Sequence, residues 1–156
     1  MNHEHFMQKA IELAIQNVKN GTGGPFGAII VKDSKIIAQG SNQVTSTNDP
    51  TAHAEIVAIR NACKALNGFQ LTDCIVYSSC EPCPMCLGAL FWARPRSIYF
   101  AGTKDDAAAI GFDDSFIYNQ LPLKPEKRNI PCTQIMRDAA LEAFKLWKES
   151  AGKIEY

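Results

Sequence analysis

Two short segments with metal-binding residue types constrain this chain more than any other feature. His53-Ala54-Glu55 stands where a helix is predicted to begin, and Pro82-Cys83-Pro84-Met85-Cys86 stands at the next predicted helix start, after an intervening strand. Cysteines three positions apart lie within about one helical turn, and the positive end of the helix dipole favours their thiolates. With His53 there are three protein ligands, which leave one tetrahedral position for water. This pattern predicts one catalytic Zn²⁺ per subunit, held by His53, Cys83 and Cys86.

Glu55 is predicted to carry protons beside this site. Residues two apart on a helix point in roughly opposite directions, so His53 and Glu55 converge only if the first turn faces the metal end-on. The alternative is a core histidine, two cysteines buried as hydrophobes and a solvated glutamate, and the joint pattern disfavours it. A structural zinc would need a fourth ligand, for which Cys80 is the nearest candidate, at an awkward spacing.

Length, charge and cysteine content narrow the class of protein. A chain of 156 residues with 46% hydrophobic content fits one domain over 1–156. Lys plus Arg and Asp plus Glu both number 16, so the net charge is zero and nucleic acid is not an expected partner. There is no apolar run of about 18 residues and the start does not resemble a signal peptide, so we expect a cytoplasmic protein without a membrane segment. Reduced, mostly buried cysteines are expected at Cys63, Cys74 and Cys132.

Hydrophobic periodicity predicts alternating helices and strands. Such alternation indicates a layered α/β sheet with helices on both faces. The stretch after Gly102 shows no clear period, and long irregular stretches are more often functional than idle. The predicted elements are a helix over 4–20, a hairpin of strands 28–31 and 36–38, a helix from about His53, a strand over 74–78, a helix over 84–93, a strand over 97–100, and a final amphipathic helix that includes Met136 to Trp147.

The chain resembles the zinc nucleobase deaminases of the cytidine deaminase superfamily, whose signature is H-x-E followed by P-C-x-x-C. Within that superfamily it is similar to the bacterial guanine deaminase branch, from Gly23 to the end of the chain. The motifs that carry this likeness are Asn42, 49–55, 79–86, Trp92-Ala93-Arg94-Pro95, Gly111-Phe112-Asp113-Asp114-Ser115-Phe116-Ile117-Tyr118, and the tail ending in Tyr156.

The resemblance implies a three-layer α/β/α fold with a five-stranded mixed sheet. It also implies hydrolytic deamination of guanine to xanthine and ammonia, in purine salvage or catabolism, by a zinc-bound hydroxide with Glu55 as the proton shuttle. The metal site alone does not select the base, because cytosine C4, adenine C6 and guanine C2 all carry an amino group in an amidine-like setting. A homodimer that exchanges the C-terminal segment 135–156 is a further expectation.

Recognition of guanine requires an acceptor for its N1–H and amino group and a donor for its O6 and N7. Asp114 could accept hydrogen bonds from the N1–H and amino edge and could assist the leaving amine, which makes it a second catalytic candidate. Asn42 could form hydrogen bonds with the other side of the ring. The resemblance adds substrate contacts from Phe26, Ala54, Trp92 and Tyr156.

Each of these contacts has a structural alternative. Asn42 could satisfy a backbone group at a strand end, and Asp113 or Asp114 could cap a helix over 115–120. Phe26 and Trp92 could be core or interface residues, and Tyr156 could be a solvated terminus.

Three other functions compete with guanine deamination. A tRNA adenosine deaminase would need a basic groove, which the zero net charge and the acidic 111–115 segment disfavour. A cytosine deaminase would share the zinc site but not a purine-sized pocket. A non-enzymatic zinc scaffold would have no use for Glu55 beside the metal.

Overall fold

The computed structural model describes residues 1–156 and divides them into two compact units, Met1–Asp114 and Ser115–Tyr156. The first unit holds the four strands and all the buried residues. Its elements are α1 (His3–Lys19), β1 (Gly27–Lys32), β2 (Lys35–Ser41), α2 (Val44–Thr47), α3 (Ala54–Leu66), β3 (Ile75–Cys80), α4 (Pro84–Ala93), β4 (Ser97–Gly102) and α5 (Lys104–Ala109).

The sheet is mixed, with strand order β2-β1-β3-β4. β1 pairs antiparallel with both β2 and β3, and β3 pairs parallel with β4. The hairpin between β1 and β2 turns through Asp33 and Ser34, both with positive φ, which is the two-residue turn that matches strand twist. The predicted hairpin is therefore confirmed.

The prediction of a five-stranded sheet is wrong, because the sheet has four strands and β4 lies at its edge. After β4 the chain enters helix α5, and the segment that follows carries prolines at 122, 125 and 131. Proline has no N–H to donate to a strand ladder, so this segment is poorly suited to add a fifth strand.

Helices cover both faces of the sheet, as predicted. On one face α1 packs Phe6 and Ala10 against Ile29 and Tyr77. On the other face a larger core joins α3, α4 and the opposite side of the strands; its buried members are Ala28, Ile30, Ala38, Ala54, Ala58, Ala62, Leu71, Cys74, Val76, Leu90 and Ala93. This second face carries the two helices with the metal-binding motifs.

Gly40 lets α3 approach the sheet closely. A Cβ at this position would overlap the Ala54 carbonyl oxygen and the Ala58 nitrogen of α3. The absence of a side chain at Gly40 therefore sets the distance between α3 and the sheet. It also sets the position of the helix start that carries His53 and Glu55.

The second unit contains α6 (Ser115–Gln120), a 3₁₀ turn (Pro125–Lys127) and α7 (Arg137–Glu149). Neither helix has a buried residue. Phe144 and Trp147, the aromatic residues of the predicted apolar stripe, are exposed. A unit of this kind has an amphipathic helix but no buried core of its own.

Two predictions along the chain need correction. Cys132 is exposed rather than buried, because it lies in the coil that precedes α7. The stretch after Gly102 is less irregular than predicted, since α5 begins with a capping box between Thr103 and Asp106. No helix combines the length and the apolar character that spanning a bilayer requires.

Candidate active site

The three predicted metal ligands lie together at the N-termini of α3 and α4. His53 is the N-cap of α3, Cys83 is the N-cap of α4, and Cys86 is in the first turn of α4. The His53 Nδ1 atom lies 3.6 Å from Cys83 Sγ and 3.5 Å from Cys86 Sγ. Nitrogen and sulfur ligands of a tetrahedral Zn²⁺, with bonds of about 2.0–2.1 and 2.3 Å, lie about 3.5 Å apart. The donor atoms and their spacing therefore fit zinc.

Electrostatics within this cluster also suit a divalent cation. Hydrogen bonds from Cys86 and His53 hold the pKa of the Cys83 thiol at about 4, and the first of these bonds raises the pKa of Cys86. The hydrogen bond with Cys83 raises the pKa of His53. The cluster thus stabilises a thiolate at neutral pH, and metal binding requires deprotonated thiols.

Glu55 lies beside the cluster with its side chain only 6% exposed. Its Oε1 accepts a hydrogen bond of 3.1 Å from the Ser78 hydroxyl of β3, and the Cys86 thiol is a second partner. Burial raises the pKa of this carboxyl above its ordinary value. A carboxyl with a raised pKa, held next to the metal ligands, is suited to accept a proton and return it. The predicted end-on geometry brings His53 and Glu55 to one place.

Asn42 follows β2 and is buried at the same end of the sheet. Its Oδ1 accepts hydrogen bonds of 3.3 Å from the backbone N–H groups of Gly24 and Val44. Two backbone donors require the oxygen to face them, so the orientation of the amide is fixed by its surroundings. The predicted structural alternative, satisfaction of backbone groups, is therefore real, and it leaves the amide nitrogen as the group able to donate to a ligand.

Phe26 and Asp114 lie in the same unit as the cluster. Phe26 packs edge-on against Phe112, with ring centroids 4.9 Å apart. Asp114 is partly buried; burial raises its pKa, and the negative charge of Cys83 raises it further. That influence places the Asp114 carboxyl within electrostatic range of the metal ligands.

The remaining predicted contacts are less directly supported by the geometry. Ala54 is fully buried between His53 and Glu55. Trp92 is 63% exposed and lies six positions beyond Cys86 in α4, about 9 Å along the helix axis. Tyr156 is exposed at the end of the second unit. Their roles as substrate contacts stay predictions.

Cys80 is not part of the cluster, which consists of His53, Cys83 and Cys86. Its Sγ lies 3.6 Å from the carbonyl oxygen of Thr103, so the alternative of a closed four-ligand site finds no support. None of the six cysteines forms a disulfide.

Sequence reasoning missed Ser78, Phe112 and Asn17 as parts of this region. Ser78 is a small polar residue in a buried strand, and that unusual placement was the available signal. Phe112 lies inside one of the motifs that carry the resemblance, but no role was predicted for it. Asn17 is a buried polar residue within the apolar pattern of α1, and hydrophobic periodicity alone does not indicate that a polar residue is buried there.

Residues 1–102 match the family described as the cytidine and deoxycytidylate deaminase zinc-binding region. The chain belongs to this family of zinc-dependent deaminases. It is 56% identical to the guanine deaminase of Bacillus subtilis (strain 168) over 156 residues, all of both chains. The crystal structure of a guanine deaminase from Bacillus subtilis superposes with a TM-score of 0.97, covering 100% of this chain and 99% of that one at 56% identity.

Two further relatives are less similar to this chain. A structure of the guanine deaminase from Nitrosomonas europaea is 33% identical, with a TM-score of 0.67, and the match covers 92% of this chain and 82% of that one. The tRNA-specific adenosine deaminase of Aquifex aeolicus is 42% identical over 101 residues, which is 65% of this chain and 66% of that protein.

Proposed function

We propose that this chain is a zinc-dependent guanine deaminase, which converts guanine and water to xanthine and ammonia. The observation that carries the proposal is the buried Glu55 carboxyl beside a three-ligand zinc site, in a chain similar over its whole length to a guanine deaminase. Three ligands suit a catalytic rather than a structural zinc.

The extent of the similarity favours guanine over an adenosine in tRNA. Matches to tRNA-specific adenosine deaminases are 42% identical over 65% of the chain in Aquifex aeolicus and 33% identical over 85% of it in Buchnera aphidicola, whereas the match to the Bacillus subtilis guanine deaminase is 56% identical over the whole chain. A net charge of zero also gives no support to binding of an anticodon loop, which depends on basic side chains.

Zn²⁺ held by His53, Cys83 and Cys86 would supply a Lewis acid that lowers the pKa of a water ligand towards about 7. Glu55 accepts the proton of the attacking water and passes it to the ring nitrogen next to C2. It then helps to deliver a second proton to the departing amine. Ser78 holds the Glu55 carboxyl in place by its 3.1 Å hydrogen bond.

Recognition of the base combines a donor, an acceptor and an aromatic surface. The fixed amide of Asn42 offers its N–H₂ group to guanine acceptors, and Asp114 accepts from the N1–H and amino edge and assists the leaving amine. In this proposal Phe26, whose ring packs edge-on against Phe112, contacts the face of the base. A buried polar pair of this kind rejects bases that leave it unpaired.

Assembly as a homodimer belongs to the same proposal, as does one functional domain over 1–156. Segment 135–156 carries an amphipathic helix without buried residues, and the first unit exposes Phe91, Trp92 and Phe100. Exposed aromatic side chains favour association, and exchange of the segment between subunits would bury them and bring in Tyr156 as a contact.

The direct test is ammonia release by the zinc-loaded protein, supplied separately with guanine, adenine, cytosine, cytidine and a tRNA anticodon stem-loop. We expect turnover of guanine alone, seen also as conversion of the guanine absorbance spectrum to that of xanthine. Activity on the stem-loop alone would overturn the choice of substrate and leave the deaminase chemistry in place. No activity on any of them would overturn the proposal.

A further inference from the structure

Asn17 forms a fully satisfied hydrogen-bond hub in the last full turn of α1. Its side chain is 4% exposed. The amide nitrogen donates to the carbonyl oxygens of Gly24, at 2.8 Å, and Asn42, at 2.9 Å. The amide oxygen accepts from the Thr22 hydroxyl at 2.7 Å. One buried side chain thus joins a helix, the loop after it and the end of β2.

The three segments are packed too closely for another arrangement. A Cβ on Gly23 would overlap the Asn42 carbonyl oxygen and would lie 3.0 Å from the Asn17 amide nitrogen. Only glycine fits between the loop and the strand end, so the amide of Asn17 reaches both carbonyl groups directly.

Of the two residues whose carbonyl groups Asn17 binds, Gly24 also donates to the Asn42 side chain, and the other is Asn42 itself. Asn42 receives a hydrogen bond on Oδ1 from the Gly24 N–H, and Asn17 holds the carbonyl groups of both. The result is a closed ring of hydrogen bonds that, together with the Val44 N–H, sets the position of the Asn42 amide. No zinc ligand and no hydrogen bond of Glu55 belongs to this ring.

We propose that Asn17 is a positioning residue for base selection, which acts by holding the Asn42 amide in the orientation that binds the purine. The inference rests on the proposed function, in which the Asn42 amide binds the guanine ring. It predicts that loss of the Asn17 amide raises KM for guanine while zinc content and kcat change little, since the metal and Glu55 are held by other elements.

Asn17→Ser removes the amide group that donates to both carbonyl groups and leaves only a shorter hydroxyl, and Asn17→Asp keeps the shape but turns the donor into an acceptor facing two carbonyl groups. Asn20→Ser is the matched control, because Asn20 caps the same helix and its side chain is exposed. We expect kcat/KM for guanine to fall about 30-fold in N17S, mainly through KM, and to stay unchanged in N20S.

A double-mutant cycle with Asn42→Ala separates positioning from general stability. If Asn17 acts through Asn42, N17S lowers kcat/KM about 30-fold in the wild-type background and less than about twofold in the N42A background. Equal losses in both backgrounds, or no loss in the wild type, would overturn the inference. Failure of both N17S and N17D to fold would assign Asn17 to folding and overturn it as well. An intact chain inactive on guanine would instead contradict the proposed function.

Discussion

The Ser78 hydroxyl donates a 3.1 Å hydrogen bond to the Glu55 carboxylate, and both side chains are buried. Ser78 lies in β3 and Glu55 in the first turn of α3, so the contact ties the sheet to the helix start that carries a zinc ligand. A carboxylate used for proton transfer needs a fixed direction, and this bond supplies it.

Ser78→Ala is expected to reduce kcat about tenfold or more, because a hydrogen bond to a charged group is worth about 1.5–3 kcal/mol and its loss leaves the carboxylate less well oriented. Steady-state kinetics with guanine measures the change. Ser46→Ala is the control, since Ser46 is exposed in α2. An unchanged kcat would contradict the assigned contact.

Glu55→Gln should keep zinc and lose turnover. Glutamine has the same shape but does not accept and return a proton, and general acid–base catalysis contributes about 10²- to 10⁴-fold. Zinc content by atomic emission and single-turnover rates test the two parts separately. Substantial activity in E55Q would remove Glu55 from the catalytic role.

Cys86→Ser is expected to lose zinc and activity together, because it removes a buried thiolate ligand. Cys132→Ser is the matched control, since Cys132 is exposed and outside the cluster. Both variants are compared by zinc content and by ammonia release. Full zinc occupancy in C86S would refute the three-ligand assignment.

Gly40→Ala should destabilise the fold by about 1–3 kcal/mol, because its Cβ would overlap the α3 backbone and push that helix away. Gly88→Ala is the opposite case: it is exposed within α4 with open space around it, so a gain of about 0.5–1 kcal/mol is expected. Urea unfolding of both variants gives the comparison. A neutral G40A would mean that α3 is free to shift.

Thiol alkylation of the zinc-loaded protein should be selective and pH-dependent. Burial, with the nearby Glu55 charge, raises the pKa of Cys80 to about 11, so its thiolate fraction at pH 8 is about one in a thousand and rises with pH. Exposed Cys132 should therefore react first at pH 8. Mass spectrometry after timed iodoacetamide treatment identifies the modified residue, and rapid labelling of Cys80 would contradict its burial.

Periodicity and residue chemistry predicted most of the first unit. The apolar pattern located helices α1, α3 and α4, because each buries one face against the sheet, and runs of apolar residues located the hairpin and the edge strand. His53, Cys83 and Cys86 were identifiable because metal binding requires particular residue types at particular spacings.

The polar contacts that hold the site were not predictable in the same way. Asn17 and Ser78 act through partners 25 and 23 positions away in sequence, and no local pattern indicates such pairs. The fifth strand was expected from resemblance alone, and the proline-spaced segment after β4 does not provide it. Helix α5 was missed although its capping box is a local signal.

The starts of α3 and α4 differ from that of α5 in one respect: their N-cap residues, His53 and Cys83, make no capping hydrogen bond with their side chains. Those side chains face a metal site instead, so ligation is what would hold the two helix starts together. A chain synthesised when zinc is scarce would then fray at both starts and be open to proteolysis. We expect the amount of this protein in a cell, and not only its activity, to follow the zinc supply.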